Sequence, residues 1–78
     1  MAGPNDERER LARSLCRLLI DAREAAGLNQ TALGKAVGRS QSFVSNYERG
    51  QRRLDLPDLI LVCRAIGVAP ADLLGRLE

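Results

Sequence analysis

The stretch Gln30-Thr-Ala-Leu33-Gly34-Lys-Ala-Val37-Gly38-Arg-Ser40-Gln-Ser-Phe-Val44-Ser45-Asn-Tyr47-Glu48-Arg49-Gly50 decides the fold. In its first half Leu33, Ala36 and Val37 are the apolar positions of a short helix, which Asn29 can cap and Gly38 stops. In its second half Val44 and Tyr47 are spaced to share one side, with Ser40 in the N-cap position and Gly50 as the stop. The spacing predicts one helix from Gln30 to about Val37 and another from Gln41 to about Arg49. A glycine-containing turn of about three residues joins them.

Upstream, Leu11, Leu15, Leu18, Leu19 and Ala22 recur at helical intervals and make one continuous apolar face. Asn5 or Asp6 can cap that long first helix, Glu7 and Glu9 suit the positive end of its dipole, and Gly27 can close it with Leu28 tucked back onto the last turn. Residues 1–5 are expected to fray and residues 6–78 to form one domain. Downstream, a basic loop (Gln51 to Leu54) leads to a fourth helix capped by Asp55, with Pro57 in its first turn and Asp58 at the third position. Leu59, Ile60, Val62, Cys63 and Ile66 make it apolar nearly all round, the expected buried centre, and Gly67 ends it. Pro70 opens a fifth helix expected to reach Leu77, with Leu73, Leu74 and Leu77 on one side. Strand-like alternation is almost absent, so the fold class is all-α with five helices.

Composition narrows the function. The 78 residues hold no histidine and no tryptophan, so the core must be largely aliphatic and small. Net charge is only +2. It is unevenly spread: Lys35, Arg39, Arg49, Arg52 and Arg53 lie in one segment against the single acid Glu48, leaving the rest slightly acidic. Such a segment suits phosphate or is a solvated surface. Cys16 and Cys63 have no metal spacing and no histidine to join them, so they read as buried free thiols of a reducing compartment. The N-terminus is polar and no apolar run can span a bilayer, so a cytoplasmic location is expected, with no membrane partner and no cofactor. Neither Ser nor Cys has an identifiable general base, there is no plausible carboxylate pair, and no glycine loop for phosphate is present, so an enzyme is not expected. Neither a ligand-sensing nor a catalytic domain is expected, and no small-molecule ligand.

The third helix carries the functional signal. With Val44 and Tyr47 turned to the core, Gln41, Ser42, Ser45 and Asn46 are left on the other side, uncharged and able to bond base edges or phosphates. Glutamine and asparagine can pair with adenine N6 and N7 in the major groove. Gln30 opens the second helix, where its side chain and the first amides can meet a phosphate. Phe43 either touches a thymine methyl or packs against the turn.

The quoted run, with Arg23 upstream and Ala65-Ile66-Gly67-Val68 downstream, resembles the helix-turn-helix of the phage repressor and Cro family, also called the XRE family. The likeness extends from about Leu15 to Leu77. It implies a lambda-repressor-like domain with the helix-turn-helix at helices two and three, binding double-stranded DNA. On that resemblance Gln41, Ser42, Ser45 and Asn46 are base contacts. Gln30, Lys35, Arg39, Ser40, Arg49, Arg52 and Arg53 are phosphate contacts, which fix register and supply sequence-independent affinity. Gln30 is also implied to brace Gln41, and Glu48 to pair with Arg23, locking helix one to helix three. Two positions depart from the family pattern. Arg39 stands where an aliphatic residue is usual, and Gly34 where alanine is usual, allowing close approach at about 1 kcal/mol of helix propensity.

A domain of this size reads few base pairs, so useful affinity is expected from a homodimer on half-sites roughly 34 Å apart. Leu73, Leu74 and Leu77, or the surface of helix one around Cys16 and Ile20, could form its interface or belong to the core. The expected function is a small transcriptional regulator, probed against the alternative of an interaction module that has kept the fold and lost DNA binding. The setting stays open among phage repressor, restriction–modification controller, antitoxin and general bacterial regulator.

Overall fold

In the computed structural model, which describes residues 3–77, the chain forms α1 (Pro4–Ala25), α2 (Gln30–Ala36), α3 (Gln41–Glu48), α4 (Leu56–Ile66) and α5 (Pro70–Leu74). No strand occurs among the described residues. The five-helix, all-α expectation therefore holds.

The helix starts follow from local chemistry. Asn29 Oδ1 accepts from the Ala32 amide at 2.7 Å, Ser40 Oγ from Phe43 at 3.2 Å and Asp55 Oδ1 from Asp58 at 2.9 Å. Each satisfies an amide that the first turn leaves without an intrahelical acceptor. The start of α1 departs from expectation. Neither Asn5 nor Asp6 is its cap: Gly3 is, and both Pro4 and Asn5 are helical. Pro4 presets the first helical torsion and holds Gly3 extended, while Asp6 reaches back to accept from the Gly3 amide at 3.1 Å. Of the segment expected to fray, Met1 and Ala2 lie outside the described residues.

The ends of α2, α3 and α5 come earlier than the periodicity suggests, at Ala36, Glu48 and Leu74 rather than about Val37, Arg49 and Leu77. Gly38 explains the first. At φ +71° it takes the left-handed conformation, and the chain turns so that the Arg39 amide donates to the Gly34 carbonyl at 2.8 Å. The same turn presses on Gly34. A β-carbon there would stand 2.7 Å from the Ser40 carbonyl oxygen and 2.9 Å from its carbon. The close approach that Gly34 permits is thus to the backbone of the N-cap of α3, and it sets how tightly α2 and α3 join.

The core lies where all five helices meet. Leu19, Leu33, Val44, Tyr47, Val62, Cys63 and Leu73 are its most enclosed side chains, with Phe43, Leu59 and Ile66 beside them. Leu73 is therefore intramolecular core. On the same two helices Leu61 and Leu74 stay 48% and 41% exposed, so α4 is buried along one side only. Among the described residues the Tyr47 hydroxyl is enclosed without a hydrogen-bond partner. A buried polar group left unpaired carries its desolvation penalty uncompensated, about 1–3 kcal/mol. Tyr47→Phe is accordingly expected to unfold at the same temperature as the wild type or a few degrees higher in a thermal melt. A clear fall in melting temperature would contradict it.

Candidate nucleic-acid interface

A chain of polar side chains runs from the interior to the outer end of α3. Arg23, on α1, donates through Nε to Glu48 Oε2 at 2.7 Å and through Nη2 to Oε1 at 3.1 Å. Its remaining terminal nitrogen donates to the Leu28 carbonyl at 2.7 Å. Glu48 Oε1 also accepts from Gln30 Nε2 at 2.8 Å, and Gln30 Oε1 accepts from Gln41 Nε2 at 2.7 Å. The pair is enclosed, with side chains 11% and 4% exposed. Its hydrogen bond to Glu48 pushes the Arg23 pKa up. The structure thus brings Arg23, Glu48, Gln30 and Gln41 into one line.

This line has a polarity. A carboxylate only accepts, so Gln30 must turn its amide nitrogen toward Glu48 and its oxygen toward Gln41. Gln41 must then give one amide hydrogen to Gln30. It keeps one donor and one acceptor for solvent or a partner, and these are the two groups that adenine N7 and N6 require. Guanine presents two acceptors on that edge and fits less well.

Gln41 and Ser42 are exposed, and Ser45 and Asn46 partly so. All four lie on α3 apart from its buried Phe43, Val44, Tyr47 and Glu48. The cations are less free than the sequence suggests. Arg39 Nη2 donates to both oxygens of Asp58, at 3.1 and 3.4 Å. Arg49 donates to Asn46 Oδ1 at 2.9 Å, and Arg53 to Glu9 Oε1 on α1 at 2.9 Å. Arg39 and Arg52 also lie over the Phe43 ring, 4.6 and 5.0 Å from its centre. Lys35 is exposed at the end of α2, and Ser40 is engaged as N-cap. Phe43 packs edge-on against Tyr47, with centroids 5.6 Å apart at 71°, and is only 6% exposed. Of its two expected roles the structure favours packing, because little ring surface is left for a thymine methyl.

Sequence reasoning did not foresee Asp58 or Glu9 as arginine partners, or Phe43 as a surface on which cations stack. The acids stand 19 and 44 residues from their partners, and no local pattern links them.

Both cysteines are free, Cys63 buried and Cys16 half-buried, with Cys16 Sγ donating to the Tyr47 carbonyl at 3.2 Å. Burial pushes both thiols and the Tyr47 phenol above their ordinary pKa values, which disfavours the reactive thiolate. Among the described residues no cluster of acidic, histidine or cysteine side chains could hold a metal, and no helix is long and apolar enough to cross a membrane.

A short helix seated on its neighbours by a buried ion pair, with amides and hydroxyls facing out and arginines beyond its end, is the arrangement of a DNA-binding helix-turn-helix regulator. The chain belongs to the helix-turn-helix domain family, whose sequence profile matches residues 14–77. Within that family it is of the XRE-like type, for it is similar to an XRE-family like protein from Pseudomonas syringae pv. tomato. The two share 44% identity over 92% of this chain and 87% of the other, with a TM-score of 0.84. It is also similar to the restriction–modification controller protein C.AhdI from Aeromonas hydrophila (31% identity, 80% and 94% of the chains, TM-score 0.74). The clp gene regulator ClgR from C. glutamicum aligns at 29% identity over 87% and 92% of the chains, with a TM-score of 0.78. Comparison with curated proteins finds no match.

Proposed function

We propose that the protein is a sequence-specific transcriptional regulator that lays α3 in the major groove of duplex DNA as a homodimer, acts as a repressor or autoregulator in the cytoplasm, and has no catalytic activity. The observation that carries this reading is the outward face of α3, where Gln41 is held in one amide orientation by Gln30 and Glu48. An orientation fixed before binding reduces the ordering that recognition requires. Gln41, Ser42, Ser45 and Asn46 are the base-reading set. Gln30, Lys35, Arg39, Ser40, Arg49, Arg52 and Arg53 are the backbone set. Two of the similar proteins are by name a gene regulator and a restriction–modification controller, which supports regulation as the task. Leu74 on α5 and Leu61 on α4 are exposed apolar groups that a second copy could cover.

Selection from a random-sequence duplex pool at two salt concentrations tests the proposal. Enrichment of an inverted repeat is expected, with an adenine preference at one position of each half-site that Gln41→Ala removes. Asn46→Ala should relax a different position, each loss amounting to about 1–3 kcal/mol of discrimination. Binding without any enriched sequence would leave a non-specific DNA binder. A folded protein that retained no duplex at either salt would point to an interaction module instead.

A further inference from the structure

We propose that Phe43 is a positioning residue whose ring holds the guanidinium groups of Arg39 and Arg52 together as one clamp for a backbone phosphate beside α3. The inference rests on the DNA-binding reading above and assigns a role within it. Arg39 belongs to the turn before α3 and Arg52 to the loop after it, yet both fold back over the same ring, at 4.6 and 5.0 Å from its centre. The ring itself cannot move freely. Its edge-on contact with Tyr47 anchors it in the core, and the backbone amide of Phe43 is tied to Ser40 Oγ.

A guanidinium lying over a ring is attracted by the negative face of the π-system, while its N–H groups stay in its own plane. Stacking therefore restrains the cation without using its donors. Asp58 engages one nitrogen of Arg39, and Arg52 makes no ion pair with a carboxylate among the described residues. Two cations and one carboxylate leave one positive charge and several N–H donors uncommitted at the surface. A phosphate carries one negative charge and oxygens suited to paired N–H donors. Lysine at either position, or an aliphatic residue in place of Phe43, would not reproduce this geometry.

Affinity for a mixed-sequence duplex of about 20 base pairs, measured across a salt series, tests the clamp without requiring any operator. Relative to wild type, Phe43→Leu is expected to bind several-fold more weakly at low salt. Its slope of log K against log salt should be shallower by about one, the loss of about one phosphate contact. Arg52→Ala should match it, and Phe43→Leu combined with Arg52→Ala should be no weaker than either single variant. In the DNA-free protein, the Arg39 and Arg52 side-chain N–H resonances should be shifted upfield by the ring current and return on Phe43→Leu. Circular dichroism establishes whether Phe43→Leu folds. Should it not, Arg52→Lys decides: a stacked fork loses what Arg52→Ala loses, whereas a point charge is replaced without loss. An unchanged slope in Phe43→Leu, strictly additive losses, unshifted arginine resonances or a fully active Arg52→Lys would each overturn the clamp while leaving DNA binding intact. A wild type that binds no duplex would overturn the DNA reading and the clamp with it.

Discussion

Arg23→Ala is expected to lower folding stability by about 3–5 kcal/mol, the range for removing one partner of a buried ion pair. Three bonds disappear together: two to Glu48 and one to the Leu28 carbonyl. Glu48, 4% exposed in its side chain, keeps only the neutral amide of Gln30 as a donor. A carboxylate in that position must either be hydrated by opening the α1–α3 contact or take up a proton. Domains of this kind hold about 5–15 kcal/mol in total, so the variant should lose a large fraction of its stability and melt well below the wild type. Urea titration followed by circular dichroism gives the number. Replacing both partners by apolar residues of similar volume, Arg23→Met with Glu48→Leu, should recover most of the loss, because no charge is then left enclosed. A single variant within 1 kcal/mol of wild type would mean that the pair is not closed in solution.

Gly34→Ala pits two effects of opposite sign against each other. Helix propensity alone favours alanine by about 1 kcal/mol. Against this, the new methyl would stand 2.7 Å from the Ser40 carbonyl oxygen, and the obstacle is backbone rather than a side chain that can rotate away. Relief requires the turn to open and α3 to shift on α2. Overpacking of this kind costs typically about 1–3 kcal/mol, so a net destabilisation of about 1–2 kcal/mol is expected. DNA affinity should fall further than stability does, because the displaced element carries Gln41 away from Gln30. The two readouts are a denaturation midpoint and a binding isotherm recorded on the same preparation. A stabilised variant with unaltered DNA affinity would show that the turn relaxes at no cost.

Much of this was legible in the sequence because the signals are short-range. Asn29, Ser40 and Asp55 each satisfy an amide three residues on, and Gly38 stops a helix through its own torsion angles. The pattern of Leu33, Val44 and Tyr47 identifies the inward sides. The outward residues of α3, proposed above to read bases, follow by subtraction from that pattern. Where reading failed, geometry was decided by something the local pattern does not carry. Gly3 caps α1 without a side chain, by way of Pro4 and Asp6, so a search for polar N-caps passes over it. Past Leu74 the chain tightens into turns, with the Arg76 amide donating to the Leu73 carbonyl and that of Leu77 to Leu74, so the apolar Leu77 follows α5 without belonging to it. The pairing of Arg23 with Glu48 came from family likeness, since nothing in the spacing of residues 25 apart announces it. The acids that engage Arg39 and Arg53, and the ring beneath Arg39 and Arg52, become visible only when the helices are placed in space.

Those internal partners bear on how the protein would search a chromosome. Arg49 and Arg53 are already occupied by Asn46 and Glu9. For these two, contact with a phosphate is an exchange, and for Arg53 it strands a carboxylate beside the polyanion. A grazing encounter with arbitrary DNA gains little from such a swap, whereas a fully seated α3 gains all its contacts at once. The contrast between lingering and leaving is thereby sharpened, and the domain should spend less time on irrelevant sequence than its count of arginines would suggest.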